Sequence, residues 1–235
     1  MNAVNKWPII IQDILFPPTC VLCGDRGQRG LDLCLPCRHD LPWLEPGCPV
    51  CALPHGGPTL MPCGACQKHP PPYQSLQAAF RYEEPVRHLV QALKFGSRHA
   101  HARVLGVLLA EHILTAGTRP EVILPVPLSG PRYRARGFNQ SLEIARSVAR
   151  QTGIPLDLAA CRRIRTTDAQ ARLSADERRR NIRDAFATPA VLPYRHVALL
   201  DDVVTTGATV GELAKTLRRS GVERIDVWAC ARALT

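Results

Sequence analysis

Apolar and polar positions after residue 73 alternate between two patterns, one typical of buried strands and the other of amphipathic helices. Short apolar runs predict strands at 76–82, 122–126, 158–164, 197–200 and 225–229. Apolar residues at helical spacing predict helices at 86–93, 100–116, 142–150 and 210–217. Ser174 and Glu177 form a capping box for a further helix that runs through Ala185. The alternation predicts an α/β fold, a mostly parallel sheet flanked by helices.

The first 72 residues follow a different pattern. Ile10, Ile11, Ile14 and Leu15 recur at helical spacing, which predicts a short lead within 1–18 with one apolar face. Contact with a membrane is one alternative, but the polar face lacks the Lys/Arg richness of an interfacial helix, so we expect the lead to pack on the body of the protein. The consecutive prolines at 70–72 resist both helix and sheet, so they predict a linker. We therefore expect two domains with separate cores, one at 1–69 and the other at 73–235.

Eight cysteines in the first domain form four C-x-x-C pairs. Two such pairs complete one tetrahedral zinc site, so eight thiols predict two structural zinc ions. The two halves are similar in length and suggest a duplicated ribbon, with sequential pairing favoured and a cross-braced arrangement left open. The N-terminus carries no signal peptide, which favours a reducing, cytoplasmic setting over a disulfide framework. The predicted ligands are Cys20, Cys23, Cys34, Cys37, Cys48, Cys51, Cys63 and Cys66.

Charge is distributed unevenly along the 235 residues, whose formal net charge is +10. Residues 132–183 contain 13 arginines and no lysine against five acidic residues, a net charge of +8. This surplus favours an anionic partner, although a genome that prefers arginine codons would also raise the arginine content. Residues 1–66 carry −1, and two zinc–tetrathiolate centres would make that −5, so the ribbon is a poor candidate for binding nucleic acid alone.

Composition excludes two further classes. No apolar stretch approaches the roughly 20 residues of a membrane-spanning helix. Aromatic residues make up only 5% of the chain, which argues against a surface that stacks successive bases.

The strongest candidate for a binding site is the segment 197–209, where an apolar strand runs into Asp201 and Asp202. A loop of threonines and small residues follows, and then a helix begins. Adjacent carboxylates suit the two hydroxyls of a ribose, and the loop and helix N-terminus suit a phosphate. The sequence therefore predicts a ribose 5-phosphate ligand. The chain contains neither G-x-x-x-x-G-K-[ST] nor G-x-G-x-x-G, which disfavours the nucleotide folds built on those motifs.

Residues 197–209 resemble the phosphoribosyl-pyrophosphate (PRPP) motif of type I phosphoribosyltransferases, and the whole chain resembles the ComF family of competence and DNA-utilisation proteins. Further support comes from 124–129, from Arg132, Arg134 and the run 136–140, and from Thr167, Gln170, Leu173, Arg178, Asn181 and Phe186. The resemblance implies a double zinc ribbon before a phosphoribosyltransferase domain. It also implies PRPP with Mg²⁺ as ligand, and a role in DNA uptake beside a DNA-translocating helicase.

The resemblance assigns roles to individual residues. Asp201 and Asp202 would hold the ribose hydroxyls, the 205–209 loop would hold the 5-phosphate, and the turn at 127–130 would receive pyrophosphate. The loop at 166–172 would close over PRPP, and Arg162, Arg163 and Arg165 before it would reach phosphates. The full set of expected substrate-binding residues is Pro127, Ser129, Gly130, Arg132, Arg136, Gln170, Arg178, Val203, Val204, Thr205, Thr206, Gly207, Ala208 and Thr209, with Asp201 and Asp202 as catalytic residues.

Three functions fit these observations. The first is a PRPP-dependent transferase with an unidentified acceptor. The second is a non-catalytic PRPP- or nucleotide-binding protein that handles single-stranded DNA, and the third is a zinc-ribbon adaptor whose second domain senses metabolites. Release of pyrophosphate distinguishes the first function from the other two.

Overall fold

The computed structural model describes residues 17–58, 61–96, 99–165 and 175–234. Most of the expected lead, the loop at 166–172 and the capping residue Ser174 lie outside these ranges. The strands are β1 (Ser75–Arg81), β2 (Val122–Pro125), β3 (Arg162–Arg163), β4 (Phe186–Ala187), β5 (His196–Val204) and β6 (Arg224–Arg232). The helices are α1 (Leu35–His39), α2 (Gly64–Lys68), α3 (Val86–Gly96), α4 (His99–Thr115), α5 (Gly130–Arg136), α6 (Gln140–Thr152), α7 (Ala175–Ile182) and α8 (Ala208–Arg219).

A parallel sheet with strand order β1-β6-β5-β2 forms the centre of the α/β part. Its strands are apolar on both faces, as expected where helices cover both sides of a parallel sheet. The predicted sheet and its flanking helices are thereby confirmed. The parallel register brings the carboxyl ends of β2 and β5 together, because Pro125 pairs with Leu200. Asp201 therefore lies beside the turn that follows β2.

Two apolar clusters form on the sheet. One joins Phe80 and Trp228 to residues of α3, α4 and α6, and the other joins Leu199 and Val227 to the apolar face of α8. Residues of the cysteine-rich region belong to both clusters: Leu31, Leu33 and Leu41 to the first, and Ala52 to the second. The expectation of separate cores on either side of the proline segment is therefore wrong.

The physical reason is that the cysteine-rich region covers the edge of the sheet. Trp43 forms an antiparallel bridge with Phe80 of the edge strand β1, and their ring centroids are 4.7 Å apart. The Leu44 N–H donates to the Ala79 carbonyl over 2.9 Å, and the Arg81 N–H donates to the Pro42 carbonyl over 2.8 Å. This pairing satisfies backbone groups that an exposed edge strand would present to other chains.

Two predicted boundaries are also corrected. The strand at 158–164 is reduced to the short β3, which pairs antiparallel with β4, because the Asp157 carboxylate accepts bonds from the N–H groups of Ala159 and Ala160 and forms a turn. Helix α7 ends at Ile182 rather than Ala185. Asp184 has a positive φ of 51° there, and its N–H donates to Glu212 of α8 over 2.9 Å.

Within the described ranges, no helix has both the length and the hydropathy that a membrane-spanning segment requires.

Candidate functional site

The eight N-terminal cysteines form two compact groups, one of Cys20, Cys23, Cys34 and Cys37 and the other of Cys48, Cys51, Cys63 and Cys66. We call them the first and the second zinc centre. Within each group the sulfur atoms lie within 4.8 Å of one another. The sequential pairing favoured from the sequence is confirmed, and the cross-braced alternative is wrong.

The spacing of the sulfur atoms fits zinc. A tetrahedral site with Zn–S bonds of about 2.3 Å places its sulfur atoms about 3.8 Å apart. The Cys23 and Cys34 sulfurs are 3.6 Å apart, and those of Cys51 and Cys63 are 3.8 Å apart. All ten cysteines of the chain lie in the described ranges, and none forms a disulfide. The donor sets therefore suit one structural zinc ion each.

In each centre, backbone hydrogen bonds lower the pKa of one thiol and so favour its thiolate form. Burial raises the pKa of the Cys20 thiol, but backbone hydrogen bonds from residues of its own centre outweigh it and lower that pKa to about 6. The same balance lowers the pKa of Cys48 to about 7, and the Cys63 N–H donates to the Cys48 sulfur over 3.2 Å. Burial raises the pKa of the Cys51 thiol to about 11, with Cys48 adding to the effect. A divalent cation would relieve this cost by stabilising all four thiolates.

A separate cavity of ≈ 350 Å³ lies at the carboxyl ends of β2 and β5. We call it the site cavity. Its position agrees with the general location of ligands in open α/β sheets, outside the carboxyl ends of the strands. The walls come from the end of β5, the loop after it, the turn after β2 and the start of α6.

Asp201 and Asp202 line the site cavity, both of them half-buried. The Ser141 hydroxyl donates to Asp201 Oδ1 over 3.0 Å, and the Asp202 N–H donates to the same oxygen over 2.9 Å. Asp202 Oδ1 accepts from the Val203 N–H over 2.8 Å. These bonds fix the orientation of both carboxylates before any ligand binds.

The 205–209 loop closes the site cavity next to the carboxylates. Gly207 has a left-handed backbone with φ of 76° and is the N-cap of α8. The Thr206 hydroxyl accepts from the Ala208 N–H over 3.3 Å. The loop therefore leads directly into a helix N-terminus, whose backbone N–H groups and dipole favour an anion.

Arginines line a further part of the site cavity, and we call Arg132, Arg136 and Arg163 the arginine wall. Burial, together with the nearby Arg132, lowers the pKa of the Arg163 guanidinium to about 10, while Asp201 opposes the effect. Burial and the charge of Arg136 also lower the pKa of Arg132. Partly desolvated, mutually repelling guanidinium groups attract a polyanion, which would relieve their repulsion.

Asn139 links the turn after β2 to the start of α6. Its side-chain amide donates to the Val126 carbonyl over 3.0 Å, and its Oδ1 caps α6 by accepting from the Ser141 N–H over 3.1 Å. The same residue thus ties the end of β2 to the helix that carries Ser141, the partner of Asp201.

Most of the expected substrate-binding residues meet at the site cavity, but not all of them. Ser129 is buried as the N-cap of α5, and neither it nor Gly130 is part of the lining. Gln170 and the side chain of Arg178 lie outside the described residues. Those in the lining are Pro127, Arg132, Arg136, Asp201, Asp202, Val203, Val204, Thr205, Thr206, Gly207, Ala208 and Thr209.

Tyr82, Gln140 and Ser141 also line the site cavity, although the sequence motifs predict no role for their side chains. Ser141 follows an Asn–Gln pair at the start of a helix. A polar residue at this position can reach the end of a neighbouring strand, and this was the sequence feature that could have indicated a role for Ser141. Tyr82 follows an apolar strand and carries no comparable signal. Its ring lies 5.7 Å from the Arg87 guanidinium carbon.

Cys161 and Cys230 lie apart from the zinc centres, and both are buried. Burial, with a contribution from Asp157, raises the pKa of Cys161 to about 12. Burial, followed by Asp202 and Asp201, also raises the pKa of Cys230. Both residues are therefore neutral packing thiols at neutral pH.

Comparisons with known proteins identify close relatives. Residues 11–67 match the family model described as double zinc ribbon domain. The DNA utilization protein YhgH of Escherichia coli O157:H7 is 40% identical over 94% of this chain and 100% of its own length. Competence protein F of Haemophilus influenzae is 38% identical over 73% of this chain and 78% of its own length.

Solved structures resemble this chain less closely than these relatives do. The glutamine PRPP amidotransferase from B. subtilis, complexed with ADP and GMP, is 23% identical over 55% of this chain and 26% of that chain, with a TM-score of 0.37. The purine phosphoribosyltransferase from Pyrococcus horikoshii Ot3 is 17% identical over 55% of this chain and 70% of that chain, with a TM-score of 0.32. At these TM-scores the likeness supports no conclusion about function.

Proposed function

The chain belongs to the ComF family, and on that premise we propose that it binds PRPP with Mg²⁺ as a type I phosphoribosyltransferase-like protein that serves DNA uptake. One observation carries the proposal. A single cavity brings together the adjacent Asp201 and Asp202, the 205–209 loop at a helix N-terminus, and a wall of arginines. These groups match, in order, the ribose hydroxyls, the 5-phosphate and the pyrophosphate of PRPP.

Each wall of the site cavity would hold one part of the ligand. Asp201 and Asp202 would accept hydrogen bonds from the ribose hydroxyls, since both carboxylates line the cavity at the end of β5. The 205–209 loop would donate backbone N–H groups to the 5-phosphate. Arg132, Arg136 and Arg163 would bind the pyrophosphate, which bidentate guanidinium groups recognise well.

Magnesium fits this donor set, because carboxylate oxygens and phosphate oxygens are its preferred ligands. With PRPP bound, Asp201 and Asp202 are the carboxylates available to hold magnesium, and the ion would supply positive charge that neutralises the leaving group. The chain's own residues would act by position and by charge. Asp201 and Asp202 would fix the ribose, and the arginine wall would stabilise the negative charge that develops on the leaving pyrophosphate.

The transfer reaction exchanges one bond at the anomeric carbon. A nitrogen nucleophile would form the new C–N bond while the C–O bond to pyrophosphate breaks. Pyrophosphate would leave with the bonding electrons, and the proton of the nucleophile's N–H would pass to solvent. Tyr82 lies in the lining of the same cavity, where an aromatic ring can contact a planar acceptor. We propose that the acceptor enters on this side.

Calorimetry with PRPP and Mg²⁺ tests the proposal. We expect wild-type protein to bind and the Asp201→Asn, Asp202→Asn double variant to bind at least about tenfold more weakly, because each lost charged hydrogen bond costs about 1.5–3 kcal/mol. Glu111→Gln is the matched control, since it removes a carboxylate that pairs with Arg38 outside the site cavity. Wild-type protein that ignores PRPP would overturn the proposal.

A second candidate function is favoured by the surplus of arginines along residues 132–183. Arg162, Arg165, Arg180 and Arg183 are exposed in addition to the arginines in the lining. In this alternative the chain binds PRPP or a nucleotide without turnover and handles single-stranded DNA in the cytoplasm beside a DNA-translocating helicase. A pyrophosphate-release assay across candidate bases, with and without single-stranded DNA, decides between the two functions.

A further inference from the structure

Arg232 is a buried cation at the end of β6 that connects two distant parts of the chain. The residue is only 4% exposed. Its Nε group donates to the Cys51 carbonyl over 2.8 Å, in the second zinc centre. Nη1 donates to the carbonyls of Val204 and Thr205 at the start of the 205–209 loop, the former over 3.0 Å.

These bonds fix the direction in which the loop presents its N–H groups. In a planar trans peptide the C=O and the following N–H point in opposite directions. Because Arg232 holds the carbonyls of Val204 and Thr205, the N–H groups of the next residues are directed away from Arg232. Residues 205–209 of this loop line the site cavity. Arg232 therefore orients the backbone donors that an anionic ligand would meet.

The loop and the second zinc centre also face a common cavity. A second cavity, of ≈ 580 Å³, is lined by Cys51, Cys63 and Cys66 and also by residues 206–208 of the loop. Tyr73, which directly follows the proline segment, lies behind Gly207, since a Cβ at Gly207 would stand 3.3 Å from its hydroxyl. The loop thus separates the site cavity from the second zinc centre.

Charge gives a reason for the connection. A guanidinium inside a protein is costly without a compensating anion. Four thiolates on one Zn²⁺ carry a net charge of −2, and Arg232 lies against the carbonyl of one of those ligand residues. A loaded zinc centre would therefore attract the guanidinium electrostatically, in addition to the hydrogen bond to the Cys51 carbonyl.

We infer that Arg232 is a positioning residue that couples the second zinc centre to the 205–209 loop, so that zinc at that centre and ligand in the site cavity stabilise each other. This inference rests on the proposed function for the identity of the ligand. Coupling of this kind is reciprocal: if zinc at the second centre favours PRPP, PRPP must retard loss of that zinc to the same degree.

The first test is the variant Arg232→Lys, which keeps a cation but loses the fork that reaches several carbonyls at once. Arg224→Lys is the matched control, because Arg224 begins the same strand and lies half-exposed, 3.5 Å from Asp226. We expect Arg232→Lys to bind Mg²⁺–PRPP about tenfold more weakly than wild type, as expected for the removal of charged hydrogen bonds. It should retain both zinc ions in metal analysis, while Arg224→Lys should match wild type.

The second test measures zinc release to a chromogenic chelator. We expect saturating PRPP to slow release of one of the two zinc ions from wild-type protein severalfold, and to leave release from Arg232→Lys unchanged. A merely structural arginine would lower stability without removing this ligand dependence. Affinity of Arg232→Lys within twofold of wild type, or the same ligand dependence in both proteins, would overturn the inference.

Hydrogen exchange separates failure of the inference from failure of the proposed function. If wild-type protein does not bind PRPP, the proposed function fails, and the coupling is then judged without a ligand. Arg232→Lys should accelerate exchange of the loop amides at 205–207 and release of one zinc ion, relative to Arg224→Lys. Unchanged exchange and unchanged zinc release would exclude the coupling whatever the ligand is.

Discussion

Gly207 is the residue at which backbone geometry most directly limits the site cavity. Its φ of 76° is unfavourable for any residue with a Cβ, and that Cβ would lie 3.3 Å from the Tyr73 hydroxyl. We expect Gly207→Ala to lower the free energy of unfolding by about 1–2 kcal/mol and to weaken PRPP binding, because relief of the strain moves the loop. Chemical denaturation and calorimetry measure the two effects.

Gly153→Ala provides the matched control for backbone strain. Gly153 ends α6 with a similar φ of 71°, and a Cβ there would meet no atom within 4 Å. It should cost comparable stability and leave PRPP affinity unchanged. If both variants lose affinity equally, general destabilisation explains the effect and the loop has no special role.

The three arginines between the start of β3 and residue 165 lie on two different surfaces. Arg163 lines the site cavity, whereas Arg162 and Arg165 are exposed. If the second candidate function holds, Arg162→Ala with Arg165→Ala should reduce the salt dependence of single-stranded DNA binding by about 0.7 in slope for each phosphate that the variant no longer neutralises. PRPP affinity should change less than in Arg163→Ala. Binding titrations over a range of salt concentrations measure the slope.

A charge-matched control comes from α6, where Arg146→Ala with Arg150→Ala removes two exposed arginines from the outer face of the helix. An equal reduction of slope in this control would show that DNA responds only to net charge. An unchanged slope in the β3 variant, with loss of binding in zinc-centre variants, would instead locate the DNA site on the ribbon.

Hydrophobic periodicity predicted the helices and strands that depend on residues close together in the chain. The four strands of the parallel sheet and the helices α3, α4, α6 and α8 match the apolar pattern. Cysteine spacing predicted two zinc centres but left open which pairs share a zinc ion. The predicted extent of the strand at 158–164 was wrong because the Asp157 side chain forms a turn with the backbone that follows it. The pattern of apolar residues does not reveal such a turn. Arg232 was missed because its partners lie 28 and 181 residues away in the chain. The pairing of Trp43 with Phe80 is long-range in the same way.

The two zinc centres give the whole molecule a measurable stoichiometry. Reduced, folded protein should contain about two zinc ions per chain, since each tetrathiolate binds one. Metal analysis of purified protein measures this directly. A value near zero in folded, reduced protein would mean that the sulfur clusters fold without metal.

Packing of the ribbon on the sheet predicts how the chain unfolds. Leu31, Leu33 and Leu41, next to the first zinc centre, share an apolar cluster with α4, and Arg103 of α4 forms an ion pair with Asp32. Loss of a structural metal site belongs to the largest effects of single substitutions, about 4 kcal/mol or more. We therefore expect Cys20→Ser to lower the melting temperature of the whole chain by about 10 °C, given about 2–4 °C per kcal/mol at this size.

Calorimetric scanning of Cys20→Ser should show one cooperative transition, because residues of the ribbon and of the sheet pack together in one apolar cluster. Arg26→Ser is a control in the same ribbon, since the Arg26 side chain is exposed and ligates no metal. It should melt with wild type. Hydrogen exchange adds a local measurement: the amides of β1 and β6 should lose protection in Cys20→Ser, because the edge of β1 depends on its bridge to Trp43. Two separate transitions, with β1 and β6 protected as in wild type, would show that the sheet stands without the ribbon.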